Sequence, residues 1–159
     1  VADFTESIRL MPNDPHGLLH RGVALHQSGQ SQQAVSDFTT AIELAGEYTV
    51  ALNNRGNAYQ NLKQPKLALA DYNRALEMDP EYGKAYGNRG NLYLHREQYE
   101  SALKDFDRSI ELEADNPDAD DPLLHHSRGI AHLRLKQPQQ AVADFGRLRE
   151  IFPRPASVP

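Results

Sequence analysis

Cysteine and tryptophan are absent from this chain, and methionine occurs only twice. Without cysteine there is no disulfide, no thiolate metal site and no cysteine nucleophile. The compartment stays open, because secreted and cytosolic proteins alike can lack cysteine; a soluble, cytoplasmic chain is the default expectation. No apolar run approaches the roughly 20 residues that a membrane-spanning helix needs, and no signal-like segment opens the sequence. Basic residues are in the minority, with 17 Lys and Arg against 22 Asp and Glu, a net charge of −5. That balance speaks against a general nucleic-acid or anionic-membrane binder, which usually carries a basic surface. What remains is ordinary: 159 residues, 25% charged and 39% hydrophobic, enough for about one globular domain and unlike a disordered chain. Valine at the first position points to a piece of a longer chain.

The dominant feature is internal repetition. His20-Arg21-Gly22-Val23, Asn54-Arg55-Gly56-Asn57, Asn88-Arg89-Gly90-Asn91 and Ser127-Arg128-Gly129-Ile130 align with one another. Their glycines are 34 residues apart, except for the last interval, which is five longer. A second signature keeps step twelve residues after each glycine: Ala34-x-x-Asp37-Phe38, Ala68-x-x-Asp71-Tyr72, Ala102-x-x-Asp105-Phe106 and Ala141-x-x-Asp144-Phe145. The chain opens on a half-copy, Asp3-Phe4-x-x-Ser7, ending at Pro12.

Within Thr49–Tyr82, Leu52, Gly56 and Tyr59 are spaced for one face of a first helix, and Ala68, Tyr72, Ala75 and Leu76 for one face of a second. Gly56 and Ala68 are small, so the helices can approach closely; Tyr72 and Leu52 are expected to fill the space between neighbouring units. Lys63-Gln64-Pro65 separates the helices, with proline tolerated at a helix start, and Asp79-Pro80 ends the second helix. One such hairpin cannot cover its own apolar face, whereas stacked copies can. Arg21, Arg55, Arg89 and Arg128 are expected to pair with Asp37, Asp71, Asp105 and Asp144 of the same unit, since a buried arginine needs a carboxylate partner. Pairing with the preceding unit's aspartate, starting at Asp3, is the alternative.

The pattern resembles the tetratricopeptide repeat (TPR), a helix-turn-helix unit of this length. It has the family's glycine, its first aromatic at Tyr59 and Tyr93, its alanine, its second aromatic at Phe38, Tyr72, Phe106 and Phe145, and its closing proline at Pro12, Pro80 and Pro153. It departs where tryptophan is usual, at Leu18, Leu52, Tyr86 and His125, and where leucine usually precedes the glycine, which is arginine in every copy. Gly46 and Ala114 stand where a closing proline is common. The resemblance implies an all-α fold, an α-solenoid wound as a right-handed superhelix. The chain then divides into a partial repeat over 1–14, second helix only; full repeats over 15–48, 49–82, 83–116 and 122–155; an acidic insertion loop over 117–121; and a tail over 156–159. Phe4, Ile8 and Leu10 of the half-copy would need cover from further repeats or from another chain, and no polar capping helix is evident after Pro153.

In TPR arrays the first helices line a concave groove that receives partner segments in extended or helical form. Carried onto this sequence, the groove would present His16, Leu19, His20 and Val23, then Val50, Asn53, Asn54 and Asn57, then Lys84, Asn88, Asn91 and His95, then Leu123, His126, Ser127, Ile130 and Arg134. Asn54 and Asn57 recur as Asn88 and Asn91, and an asparagine amide both donates and accepts. Such a series can hold a peptide backbone, as the asparagine ladders of some TPR grooves do. Apolar contact would come from Leu19, Val23, Ile130 and Leu133. The double change Asn54→Ala with Asn88→Ala is expected to weaken binding with little effect on melting. The clamp by which some TPR domains hold the C-terminal carboxylate of heat-shock chaperones is incomplete: Asn57 and Asn88 match its amide positions, but Asn53, Leu123 and Ser127 occupy its basic ones. In the register one unit earlier, Asn54 and Lys84 match and Leu19, Val23 and Asn88 do not.

The expected partner is another protein or peptide, with self-association through the terminal repeat faces or service as a regulatory appendage of a larger enzyme as alternatives. Nucleic acid, membrane insertion, a metal and a cofactor are not expected. His16 and His20 are four apart but lack a third ligand in motif spacing, and His125 and His132 fall in core positions. The acidic insertion lacks the glycine and terminal glutamate of an EF-hand. Phosphate loops, GxSxG and paired carboxylates are missing too, so no catalytic residue is assigned.

Overall fold

The computed structural model describes residues 8–114 and 121–151, with side chains up to residue 147. Phe4 and Ser7 of the half-copy, most of the acidic insertion with its calcium question, and Pro153 with the tail lie outside the described residues. Within them all regular structure is α-helical. A helical turn at 8–10 is followed by α1 (Pro15–Gln27), α2 (Ser31–Ala45), α3 (Thr49–Asn61), α4 (Pro65–Met78), α5 (Gly83–His95), α6 (Tyr99–Glu113), α7 (Pro122–Arg134) and α8 (Pro138–Ile151). No helix among the described residues is long and apolar enough to cross a membrane.

Local chemistry sets these boundaries. Proline opens α1, α4, α7 and α8, where its fixed φ suits a helix start and its missing N–H is not needed. Asp14 caps α1, accepting from the amides of His16 at 3.0 Å and Gly17 at 3.3 Å; Asp121 caps α7, accepting from Leu123 at 2.9 Å. The turn inside each hairpin is built one way. Gly29, Lys63, Glu97 and Lys136 take positive φ of 81°, 57°, 59° and 59°. The glutamine that follows, Gln30, Gln64, Gln98 or Gln137, donates its amide to the carbonyl five residues back, at Leu25, Tyr59, Tyr93 or His132, over 2.8–2.9 Å. This is the Schellman closure, which ends a helix on one left-handed residue.

The chain divides into two compact units, residues 1–88 and 89–159. In the first, α1 packs on α2, α2 on α3, and α3 on α4. Its larger core joins Leu18, Leu19, Leu25, Ala34, Val35, Phe38, Ala41, Ala51 and Ala58; a second cluster joins Leu52, Ala75, Leu76 and Ala85. Gly22 and Gly56 face the rings of Phe38 and Tyr72, and a Cβ added at Gly56 would lie 2.5 Å from Tyr72 Cε1. Tyr72 therefore packs inside its own hairpin. This corrects the expectation that it fills the space between neighbouring units; Leu52, grouped with Ala85 of the following helix, does so. In the second unit α6 packs on α7 and α7 on α8, around Ala102, Phe106, Leu124 and Ala131. Gly90 and Gly129 meet Phe106 and Phe145 in the same way.

Each hairpin is also pinned by an ion pair. Arg21 meets Asp37 and Arg55 meets Asp71 in the first unit, and Arg89 meets Asp105 in the second, each with two parallel contacts, while Arg128 turns both Nε and Nη2 toward Oδ1 of Asp144. The carboxylates are buried. The within-unit pairing is the one found, and it uses the planar fork that suits arginine to a carboxylate.

Candidate partner-binding face

Each first helix turns one side toward its second helix and keeps another side open. In the first unit α1 touches α3 directly, so their open sides are adjacent. His20 and Lys84 are exposed, and Asn54, Asn57 and Asn88 are half-buried. His16 places Nδ1 2.8 Å from the Tyr48 hydroxyl, with the rings edge to face. Two expected groove residues are withdrawn. Leu19 is a member of the core, and Asn53 is only 4% exposed. Asn53 faces inward because its Oδ1 accepts a 2.9 Å hydrogen bond from Asn88 Nδ2, tying α5 to α3.

The repeated asparagines are not equivalent in space. Asn88 reaches Asn53 of the preceding repeat, whereas the residue at the matching distance before Asn54 in the sequence is Leu19, whose side chain has no acceptor. Asn54 Nδ2 instead donates to the carbonyl of Val50 on its own helix, over 2.8 Å. Asn57 Oδ1 accepts from the Tyr72 hydroxyl at 2.6 Å, and that hydroxyl accepts from Gln60 Nε2 at 2.6 Å. Burial, foremost, holds the Tyr72 phenol well above its ordinary pKa, with the Asp71 charge adding to the effect and the Gln60 bond opposing it.

In the second unit Asn91 is half-buried and His95 is exposed, with His95 Nδ1 donating to the Asn91 carbonyl at 2.7 Å. Leu123, Ser127, Ile130 and Arg134 follow one another along one side of α7, at spacings of three and four residues. Leu123 is 71% exposed and neighbouring Leu133 51%, while Ser127 and Ile130 are half-buried and Arg134 exposed. His125 and His132 instead pack about the buried Asp144, at 3.7 and 3.8 Å, and His132 Nδ1 donates to Gln137 Oε1. Among the described residues no group of three or more His, Asp or Glu is placed to hold a metal ion.

Sequence reasoning missed a polar contact at two of the arginines. Arg55 Nη1 donates to Thr39 Oγ1 at 3.0 Å, and Arg128 Nη1 to Asp107 Oδ1 at 2.8 Å, each on the preceding second helix. Thr39 lies sixteen residues before its arginine and Asp107 twenty-one, the difference being the five-residue insertion. The polar column Thr5, Thr39, Asn73 and Asp107 was the available signal. Hydrogen bonding to Asp71, foremost, raises the Arg55 pKa against the opposing cost of burial.

Comparison with known proteins places these features in a family. No curated protein sequence matches the chain. Models of the tetratricopeptide repeat match residues 15–48, 49–82 and 83–116. Among solved structures, MamA from Desulfovibrio magneticus is similar at 26% identity and a TM-score of 0.76, over 97% of this chain and 84% of that one. TTC0263, a TPR protein of Thermus thermophilus, aligns at 18% identity and a TM-score of 0.80, over 95% of this chain and 80% of that one. A chain of the APC/C hetero-tetramer Cut9–Hcn1 aligns at 18% identity and a TM-score of 0.85; it covers 98% of this chain but 30% of its own. Repeated hairpins, each with a glycine beneath an aromatic ring, and three consecutive matches to the repeat model establish that this chain belongs to the tetratricopeptide repeat family.

Proposed function

We propose that the chain is a protein-interaction scaffold, without catalysis of its own, that holds an extended or helical segment of a partner against the open sides of its first helices. The observation that carries this reading is the outward row on α7. Leu123, Ile130 and Leu133 keep apolar surface in water while the opposite side of the same helix is spent on the core. Covering one such leucine contributes about 1.5–3 kcal/mol, which makes the row a natural anchor for a partner side chain. His20, Asn54, Asn57, Lys84 and Asn88 in the first unit, and Asn91, His95, Ser127 and Arg134 in the second, would add polar contacts. Asn53 and Leu19 are left out of the proposed site because both are buried.

The test is partner capture from the native source followed by peptide mapping, repeated with Leu123→Asp and Ile130→Asp. Retention of the same partner segment by both variants, at unchanged affinity, would remove the α7 anchor. A second reading, self-assembly, is favoured by Leu10 and Met11, which are 65% and 55% exposed beside α1. Light scattering across a concentration series separates the two, since a pure groove binder stays monomeric.

A further inference from the structure

Tyr72 carries a hydroxyl where the other three hairpins have Phe38, Phe106 and Phe145. That difference comes with a matched one on the first helix. The hydroxyl reaches Asn57 and Gln60. The corresponding pairs elsewhere are Val23 with His26, Asn91 with Leu94, and Ile130 with Leu133. Amides stand at both positions only where the ring has a hydroxyl to meet them. Tyr72 is fully buried, while Asn57 and Gln60 are half-buried on α3.

A phenol has one proton to give. It can donate to one amide only and must accept from the other, so the two amides meet it with opposite polarity. Tyr72 donates to Asn57 Oδ1 and accepts from Gln60 Nε2, each over 2.6 Å. Asn57 keeps Nδ2 for other use, and Gln60 keeps Oε1. Neither atom has a hydrogen-bond partner among the described residues, and both are open to solvent. Three residues apart, the two side chains are neighbours on one side of the helix. The last torsion of an amide side chain is broad and roughly two-fold, so a loose amide exchanges donor for acceptor; the phenol holds both. One partner would satisfy a buried hydroxyl, and a second amide goes beyond that need.

We propose that Tyr72 is a positioning residue, holding Asn57 and Gln60 as a fixed donor and acceptor for the main chain of an extended peptide. Asn57 Nδ2 donates to the carbonyl of one peptide residue, and Gln60 Oε1 accepts from its N–H. The inference rests on the scaffold reading above, names the conformation of the ligand, and is confined to the α3–α4 hairpin. In an antiparallel strand pair, two facing residues exchange both of their main-chain hydrogen bonds. The amide pair offers one extended residue the same exchange. A helical segment fits less well, because its N–H and C=O groups are bonded to each other. A carboxylate has no N–H for Gln60 Oε1.

The experiment selects random peptides, displayed on phage, on the full chain, and measures the recovered sequences as synthetic peptides by fluorescence anisotropy. Methylating their backbone nitrogens one at a time should find one residue where the loss is about tenfold, the cost of leaving a hydrogen bond unmade. In Gln60→Ala that loss should vanish, because the acceptor is already gone. Asn57→Asp keeps an acceptor for the Tyr72 proton but has no donor, and it should weaken the same peptides. Tyr72→Phe should weaken them about threefold to tenfold, since the amides must then be ordered on binding. The side-chain amide NMR signals of Asn57 and Gln60 should both move in that variant. Tyr82→Phe, in the same unit, should change neither affinity nor those signals, and thermal melts should show every variant folded. Peptides that depend on Leu123 and Ile130 but not on Asn57, Gln60 or Tyr72 overturn the amide pair and leave the scaffold reading standing. Peptides indifferent to all five residues, or an empty pool, overturn both. Peptides that bind as helices overturn the main-chain contact, and amide signals that stay in place in Tyr72→Phe overturn the positioning role.

Discussion

Arg55 holds Asp71 through two parallel hydrogen bonds, Nε to Oδ2 at 2.8 Å and Nη2 to Oδ1 at 2.7 Å, and its third nitrogen reaches Thr39 of the hairpin before. One side chain therefore fixes the angle between α3 and α4 and also ties α3 to α2. Arg55→Leu leaves a buried carboxylate without its cation, and removing one partner of such a pair costs about 3–5 kcal/mol. The double variant Arg55→Leu with Asp71→Leu should recover much of that loss. Urea unfolding of the cycle checks it, and additive losses would exclude direct coupling.

Gly56 lies under the ring of Tyr72. In an exposed helix interior Gly→Ala stabilises by about 1 kcal/mol. Here the sign reverses, because the new methyl would sit 2.5 Å from a ring carbon inside the hairpin. Gly56→Ala should cost about 1–3 kcal/mol through overpacking. Trimming the ring with Tyr72→Leu in the same chain should return part of it. Thermal melts of the single and double variants measure the recovery.

The turn residues offer the opposite experiment. Lys63, Glu97 and Lys136 adopt the left-handed conformation that Gly29 takes in the first hairpin. An L side chain is disfavoured there, while glycine loses more freedom on folding. The balance should leave Lys63→Gly about 0.5–1 kcal/mol more stable, as expected for glycine at a Schellman position, and Gly29→Lys less stable by a similar amount. Denaturation midpoints decide it.

Alkaline stability should depend on Tyr72. Its phenol keeps its proton to higher pH in the folded protein than in the unfolded chain. The unfolded chain releases the proton first, near pH 10, so this contribution is complete below that pH and is lost as pH rises beyond it. Tyr48 and Tyr82 are raised in the same direction, chiefly by burial. Wild type should lose more stability between about pH 9 and pH 11 than Tyr72→Phe does. At neutral pH Tyr72→Phe should cost only about 1 kcal/mol for its hydroxyl bonds, since Phe38, Phe106 and Phe145 hold the corresponding place.

Asn54 and Asn88 should behave differently on truncation. Asn54→Ala removes a bond to its own helix at a half-exposed site and should leave melting almost unchanged. Asn88→Ala strips the partner from buried Asn53 and should cost about 1–3 kcal/mol. The double variant is therefore no clean probe of binding; Asn54→Ala with Lys84→Ala is the better pair. Equal melting temperatures for Asn54→Ala and Asn88→Ala would refute the distinction.

A 34-residue period, a small residue in step with each aromatic and prolines at helix starts are local or strictly periodic features, so the linear sequence determined the helices and their hairpins, while the choice of each arginine's aspartate between its own unit and the one before was made by the fold. Which polar residues remain open to a partner was settled only by tertiary structure. Asn53, Asn54, Asn57 and Asn88 look alike as letters on a helix, yet their hydrogen bonds differ: Asn88 reaches Asn53 on the preceding first helix, Asn57 accepts from the hydroxyl of Tyr72, and Asn54 turns to the carbonyl of Val50 on its own helix. Burial and hydrogen-bond satisfaction are properties of pairs brought together by folding, and no single position in the chain encodes them alone.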